Sequence, residues 1–309
     1  MQVSWNTYAA LNSSEATVQY GTSPFDLGNM AQATSVTYNT SRTWNHHALI
    51  QGLSPKTTYW YRVAYVNCDA CSEIPTYTFT TPRSPGDMSS YSLAIVVDMG
   101  TMGVDGLSDK NGRYLNLTGS HHIPLKQTDS NTIQSLVQNV DTYDAILHPG
   151  DIAYADYFIK ESETGYFGNA SIKVNMTSVA EGYEAILEEY FDEMTPLTSI
   201  RPYMIGPGNH EANCDNGGTT DAINNITYTT SICTPGQTNF TGYINHWRMP
   251  GNENEANRNF WYSYDDGMVH VVFIDTETDL GGNLTGPDEI GGSEMEFSGP
   301  FGRANEQIK

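Results

Sequence analysis

The sequence predicts two domains of different class, an all-β region followed by an α/β region. Residues 1 to about 82 hold short β-branched and aromatic runs separated by turn residues. From Tyr91 onward, apolar strand runs alternate with stretches of three- and four-residue apolar spacing. Between them Pro82-Arg83-Ser84-Pro85-Gly86 blocks both helix and sheet, so residues 83–90 are assigned as linker. At 309 residues the chain can bury at least one substantial core, and two domains fit that length.

In the first region, strands are expected at Gln2 to Trp5, Ala16 to Tyr20, His47 to Ile50, Thr58 to Tyr65 and Thr76 to Thr80. Leu53-Ser54-Pro55-Lys56-Thr57-Thr58-Tyr59 resembles the fibronectin type III signature, in which the tyrosine hydroxyl bonds back to nearby backbone. This region, 1–82, is expected to be a fibronectin III-like sandwich that packs on the second region and does no chemistry itself.

The second region, 91–309, is organised around three strand ends. Ser92 to Val97 is a buried-strand run ending at Asp98-Met99-Gly100. Ala145 to Leu147 leads into His148-Pro149-Gly150-Asp151-Ile152-Ala153-Tyr154, where Pro and Gly stop the strand. Tyr203 to Gly206 ends in Pro207-Gly208-Asn209-His210-Glu211. Open α/β sheets bind ligands at the carboxyl ends of their strands. Asp151 and Tyr154, three residues apart, reach one point in space. Both are oxygen donors that bind best when deprotonated, which suits a hard, oxidised metal ion.

Helical spacing covers Asn131 to Val140, between the first two strand ends, as a β-α-β crossover requires. A second helix is expected over Val179 to Met194, with Ala180, Tyr183, Ile186, Leu187, Tyr190 and Phe191 on one stripe. Glu181, Glu184, Glu188, Glu189 and Glu193 read as its solvated face. Phe260 to Tyr264 and Met268 to Ile274 read as a strand pair turned at Asp265-Asp266-Gly267. Two loop-rich stretches, Thr101 to Gln127 with His121-His122 and Asn213 to Asn239, are expected to rim the site. His246 and His270 read as structural, and His148 as a neighbour of the site.

The order of the three strand ends resembles the calcineurin-like metallophosphoesterases and, within them, the purple acid phosphatases. That family's pattern runs Gly-Asp-x-Gly, Gly-Asp-x-x-Tyr, Gly-Asn-His-Glu/Asp, then Val-x-x-His and Gly-His-x-His. Val97-Asp98-Met99-Gly100 departs from the first motif by its leading Val; Gly150 to Tyr154 and Gly208 to Glu211 match the second and third in full. The resemblance implies a metallophosphoesterase α/β sandwich and a dinuclear metal centre, Fe(III) with Fe, Zn or Mn. It implies Asp98, Asp151, Tyr154 and Asn209 as metal ligands, with Asp151 bridging. It also implies His210 as a residue that binds phosphate or protonates the leaving oxygen. The activity implied is acid phosphatase action on phosphate monoesters by a metal-bound hydroxide. The rivals are a phosphodiesterase or nucleotidase on the same fold, and a secreted glycoprotein that binds without catalysis.

No Gly-His-x-His occurs in the chain, and Met1-Gln2-Val3-Ser4-Trp5 already reads as mid-strand. The chain is therefore expected to be trimmed at both ends and its α/β domain to be incomplete. A missing C-terminal segment, either of the same chain or a second chain, would bring the histidine ligands, and the fragment alone is expected to be inactive.

The net charge of -22, from 36 acidic and 14 basic residues, offers no basic footprint for nucleic acid or anionic membrane. Phosphate affinity would have to be local and come from cations. Asn-x-Ser/Thr sequons begin at Asn12, Asn39, Asn116, Asn169, Asn175, Asn225, Asn239 and Asn283, a density that reads as a secreted glycoprotein. The four cysteines can pair as Cys68 with Cys71 and Cys214 with Cys233. A Cys-x-x-Cys also serves zinc or redox chemistry, but a secretory context favours structural disulfides.

Overall fold

The computed structural model describes residues 1–63, 75–101, 126, 128–156, 176–211, 220–221, 226–227, 234–251 and 259–275. Six antiparallel strands build the first region: β1 (Gln2–Thr7), β2 (Thr17–Gly21), β3 (Asn29–Val36), β4 (Trp44–Leu49), β5 (Thr58–Val63) and β6 (Tyr77–Thr80). They run in the order β1-β4-β3-β2-β5-β6. β3 changes partner midway: Asn29 to Gln32 pair with β2, and Ala33 to Val36 pair with β4. One strand thereby joins the pair β1-β4 to the trio β2-β5-β6. Val3, Ala16, Val18, Ala33, Ala48, Ile50, Tyr59, Tyr61, Val63 and Phe79 from both groups form one core. β3 was absent from the sequence expectations because only Ala33 along it is buried, so it carries almost no apolar marker. The Ser54 N–H donates to the Tyr59 hydroxyl at 3.0 Å, the bond expected from the signature around it.

In the second region β7 (Leu93–Ile95), β8 (Ala145–Pro149) and β9 (Tyr203–Gly206) form a parallel sheet in that order. Leu93 pairs Ala145 and Ile146 pairs Tyr203, so the three strands run in step and end side by side. β7 is shorter than the Ser92 to Val97 run, and Ile95 and Val97 are exposed. Helix α1 (Thr132–Gln138) lies inside the expected stretch. Its N-cap Asn131 accepts the Gln134 N–H at 2.7 Å, and Gln134 Oε1 accepts the Asn131 N–H at 3.1 Å. Two donors that a helix start leaves orphaned are thus met reciprocally.

Helix α2 (Met176–Thr198) extends the expected helix at both ends. Ala180, Tyr183, Ile186, Leu187 and Tyr190 are buried in the core with Ile133, Ile146, Ile152 and Ile205. The solvated-glutamate expectation holds for Glu181 and fails for Glu184, which is 2% exposed. Glu184 Oε2 accepts the Tyr38 hydroxyl at 2.7 Å and Oε1 accepts Thr40 Oγ1 at 3.2 Å. The reason is that α2 is covered on two sides. The core takes one, and the segment between β3 and β4 takes the other. Arg42 reaches Glu188 at 3.2 Å in the same contact. The Tyr61 hydroxyl donates to Ser199 O at 2.7 Å, and the His47 ring meets Asn245 O at 2.8 Å.

Three short elements follow: the two-residue strands β10 (Thr220–Asp221) and β11 (Ile226–Thr227), and helix α3 (Thr241–His246). Strands β12 (Tyr262–Asp266) and β13 (Val269–Phe273) form the expected hairpin, turned at Gly267-Met268 with Gly267 at φ 64°. Its Tyr262 and Phe273 rings stack at 4.6 Å over Leu147, and the Tyr262 hydroxyl donates to Ile205 O at 2.7 Å. The hairpin also holds the assigned linker. Arg83 is nearly buried and pairs with Asp266 at 3.1 Å and Asp144 at 3.0 Å. Among the described residues, no helix is long and apolar enough to cross a membrane.

Candidate active site

The in-step parallel sheet delivers its three exit loops to one place. The Met99 N–H donates to Asp151 O at 3.2 Å and the Gly100 N–H to Ile152 O at 2.9 Å, which ties the first loop to the second. Gly150, at φ 100°, lets the second loop meet the third, and a Cβ there would lie 3.2 Å from Gly208 Cα. A Cβ on Gly208 would overlap Asp151 Oδ1 and lie 2.5 Å from Asp151 N. Glycine at 208 is thus required by close backbone approach.

Asp98, Asp151 and Tyr154 all adopt left-handed backbone, at φ 52°, 53° and 51°. For residues other than glycine this costs ~1–2 kcal/mol each, and such strain clusters at functional sites. Here it turns three side chains toward one another. The Tyr154 hydroxyl lies 2.7 Å from Asp98 Oδ1 and 3.2 Å from Asp151 Oδ2. One phenol carries one proton and cannot serve two carboxylates at once. Burial raises the Asp151 carboxyl above its ordinary range, against the favourable field and N–H of His210; Asp98 adds to the rise. A hard cation in reach of the three oxygens would reverse that balance, so the donor set fits one. Among the described residues no group of three or more His, Cys, Asp or Glu side chains could hold a metal. The convergence is one of two carboxylates and a phenol.

His210 stands beside this group. Its N–H donates to Asp151 Oδ1 at 3.1 Å, and its ring lies 4.2 Å from the Tyr154 ring. His210 Nδ1 meets Asp156 Oδ2 at 2.7 Å, and Asp156 is 1% exposed. A buried carboxylate on Nδ1 holds a proton there and orients the ring. Asp156 had no role in the sequence reading. Its signal was its place five residues after Asp151 in the same turn.

Glu211, also without an expected role, is buried beneath the loops and accepts N–H groups from Gly208, Asp151 and Ile152. Burial pushes its carboxyl up to about 8, against the pull of the Ile152 and Gly208 donors. His148 is fully buried under Asp151, as a neighbour of the site should be. Its Nδ1 bonds the Tyr203 hydroxyl and its Nε2 lies 3.3 Å from Asp151 O. Burial lowers His148 to about 4, so it is a neutral prop at ordinary pH.

His246 is buried against Tyr38 at 3.1 Å, and His270 is exposed beside Asp265 at 2.6 Å; neither approaches the site loops through these contacts. Asn209 lies in the 3-10 turn Asn209–Glu211 that places His210, but its side chain falls outside the description. Cys68, Cys71, Cys214, Cys233, His121 and His122 lie outside the described residues. So do the sequons at Asn116, Asn169, Asn175, Asn225 and Asn283, and the side chain of Asn239. Asn12 and Asn39 are exposed, as carriers of glycans must be.

A family profile described as "Purple acid Phosphatase, N-terminal domain" matches residues 1–81. Acid phosphatase A of Cryphonectria parasitica is 36% identical over 332 residues, covering 100% of this chain and 59% of its own. An acid phosphatase of Aspergillus ficuum is 28% identical over 361 residues, covering 94% of this chain and 54% of its own. The chain therefore spans little more than half the length of these curated relatives. A solved purple acid phosphatase from yellow lupin (Lupinus luteus) seeds matches with a TM-score of 0.55 at 20% identity. It covers 96% of this chain and 44% of its own, and at that identity the likeness is one of fold. With profile, relatives and fold agreeing, the chain belongs to the purple acid phosphatase family.

Proposed function

We propose that the chain carries part of the catalytic centre of an acid phosphatase that hydrolyses phosphate monoesters. The observation behind this reading is the meeting of Asp98, Asp151 and Tyr154 at three adjacent strand ends, beside the buried His210–Asp156 pair. Asp151, which meets Tyr154 on one oxygen and the His210 N–H on the other, is the residue that would be shared between two ions. Asp98 and Tyr154 would complete the oxygen donors of one ion, Fe(III), and Asn209 would serve the other, Fe, Zn or Mn. When bound, the ions supply Lewis-acid binding of phosphate oxygens and lower the pKa of bound water.

The rest is the work of this chain's residues. Asp156 keeps the proton on His210 Nδ1, so Nε2 is the ring atom through which His210 would hold or pass a proton to a phosphate ester oxygen. The rigid, bonded loops keep the donors preorganised. The acidic surface repels phosphate in general, so binding is confined to the loops. We further read residues 1–82 as a supporting domain and 91–309 as the catalytic one, in a secreted glycoprotein with Cys68–Cys71 and Cys214–Cys233 disulfides.

The test is hydrolysis of p-nitrophenyl phosphate and of bis(p-nitrophenyl) phosphate by the full-length protein, with metal analysis of the same sample. The reading expects two bound ions and a strong preference for the monoester at acid pH. A preference for the diester would favour phosphodiesterase action, and metal-free protein without turnover would leave a binding role.

A further inference from the structure

We propose that Glu211 is the positioning residue of this site: its carboxylate holds the loop that carries Asp151 onto the loop that carries Asn209. Glu211 Oε2 accepts the Gly208 N–H at 2.7 Å and the Asp151 N–H at 3.0 Å. Its Oε1 accepts the Ile152 N–H at 2.8 Å. The three donors come from two loops, and one side chain 7% exposed serves them all.

The need for a side chain follows from the topology. The last register pair between β8 and β9 is Pro149 with Gly206. Beyond it, the N–H groups of Asp151 and Ile152 point into the protein with no strand neighbour to receive them. A buried N–H without an acceptor is strongly disfavoured. The carboxyl supplies the acceptor oxygens that the sheet cannot. It also fixes Asp151 in its left-handed conformation at φ 53°, which the residue would otherwise leave.

The effect reaches the third loop. Asp151 and Ile152, whose N–H groups Glu211 holds, also present their own carbonyls to Met99 and Gly100 at 3.2 and 2.9 Å. Asp98 precedes Met99 directly, so its place is set through the same two residues. Glu211 lies buried beneath the loops, its oxygens taken by backbone N–H groups, and acts through Asp151, Asn209 and Asp98. The inference rests on the proposed function only for its metal readout.

Glu211→Gln keeps the side-chain length and replaces one acceptor oxygen by an NH2 that faces a backbone N–H. In full-length protein stripped of metal, hydrogen–deuterium exchange of peptides spanning 150–153 and 207–211 should quicken by about ten-fold or more. Metal affinity, measured by titration, should weaken about 10- to 100-fold, the range for partners that orient ligands. Ile186→Val, a core change on α2 that removes none of these hydrogen bonds, lowers stability and should leave both readouts unchanged. Unchanged exchange in the Glu211→Gln loops, or quickening equal to that of Ile186→Val, would overturn the proposal. So would a metal affinity within about two-fold of the parent. Were the parent itself to bind no metal, the proposed function would fail, and exchange in the metal-free protein would still decide the role of Glu211.

Discussion

Glu184 makes the fold's stability depend on pH in a direction that can be worked out. Burial raises its carboxyl from 4.5 to about 7, offset in part by the hydroxyls of Tyr38 and Thr40 and opposed by the positive charge of Arg42; Glu188 adds to the rise. Tyr38 also faces His246, which burial lowers to about 3 and so keeps neutral. In the unfolded chain Glu184 loses its proton near 4.5, whereas in the fold it keeps it to about 7. The folded state thus binds the extra proton between those values. Its contribution is full below 4.5 and is lost as pH rises through about 7. At about 1.4 kcal/mol per pH unit, that window is worth about 3 kcal/mol. Glu184→Gln is neutral at every pH and should abolish this share. Urea unfolding of parent and variant at about pH 5 and about pH 8 measures it. The parent should lose about 3 kcal/mol more than the variant on going to the higher pH. Glu211 contributes with the same sign and His148 with the opposite sign, but both are common to the two proteins. Equal pH dependence of parent and variant would refute the reasoning.

Three further outcomes follow from single contacts. Gly208→Ala should fold but displace Asp151, because the new Cβ overlaps Oδ1; metal analysis should show ions lost with circular dichroism unchanged. Asp156→Asn replaces the carboxylate at His210 Nδ1 by an amide that can donate as well as accept, so the His210 tautomer is no longer fixed. It should lower kcat by about 10- to 100-fold and shift the acid limb of the pH–rate profile, with little change in KM. Tyr59→Phe strips the acceptor from the Ser54 N–H and should cost about 1 kcal/mol in thermal or urea unfolding, with phosphatase activity intact.

The strand ends were legible because their signals are local. An apolar run followed by Pro or Gly and then Asp marks a parallel strand delivering a side chain; β9 ended where that pattern placed it, and β8 ran two residues past its apolar run to take in Pro149. The Tyr59 hydroxyl bond was legible for the same reason, since its partner is five residues away. What stayed hidden depends on partners distant in sequence. Glu184 looked solvated because helical periodicity cannot know that Tyr38, 146 residues away, covers the opposite face. β3 was missed because its inward positions are Ala31, Ala33 and Ser35, too small or too polar to mark an apolar alternation. Asp156 and Glu211 were in view as letters, but their roles lie in bonds to His210 and to backbone N–H groups, which no spacing encodes. The linker's prolines were read correctly as breaking regular structure, yet Arg83 within it is anchored by two carboxylates over 50 residues away.

The central claim is that Tyr154 and its two carboxylates hold a ferric ion in a phosphatase centre. The visible spectrum of the full-length protein, parent against Tyr154→Phe, with iron content measured on the same samples, tests it most directly. The account predicts a tyrosinate-to-iron charge-transfer band in the parent that is lost or strongly displaced in the variant, with the far-ultraviolet circular dichroism unchanged. An identical band in both proteins, or a parent with no iron, would contradict it.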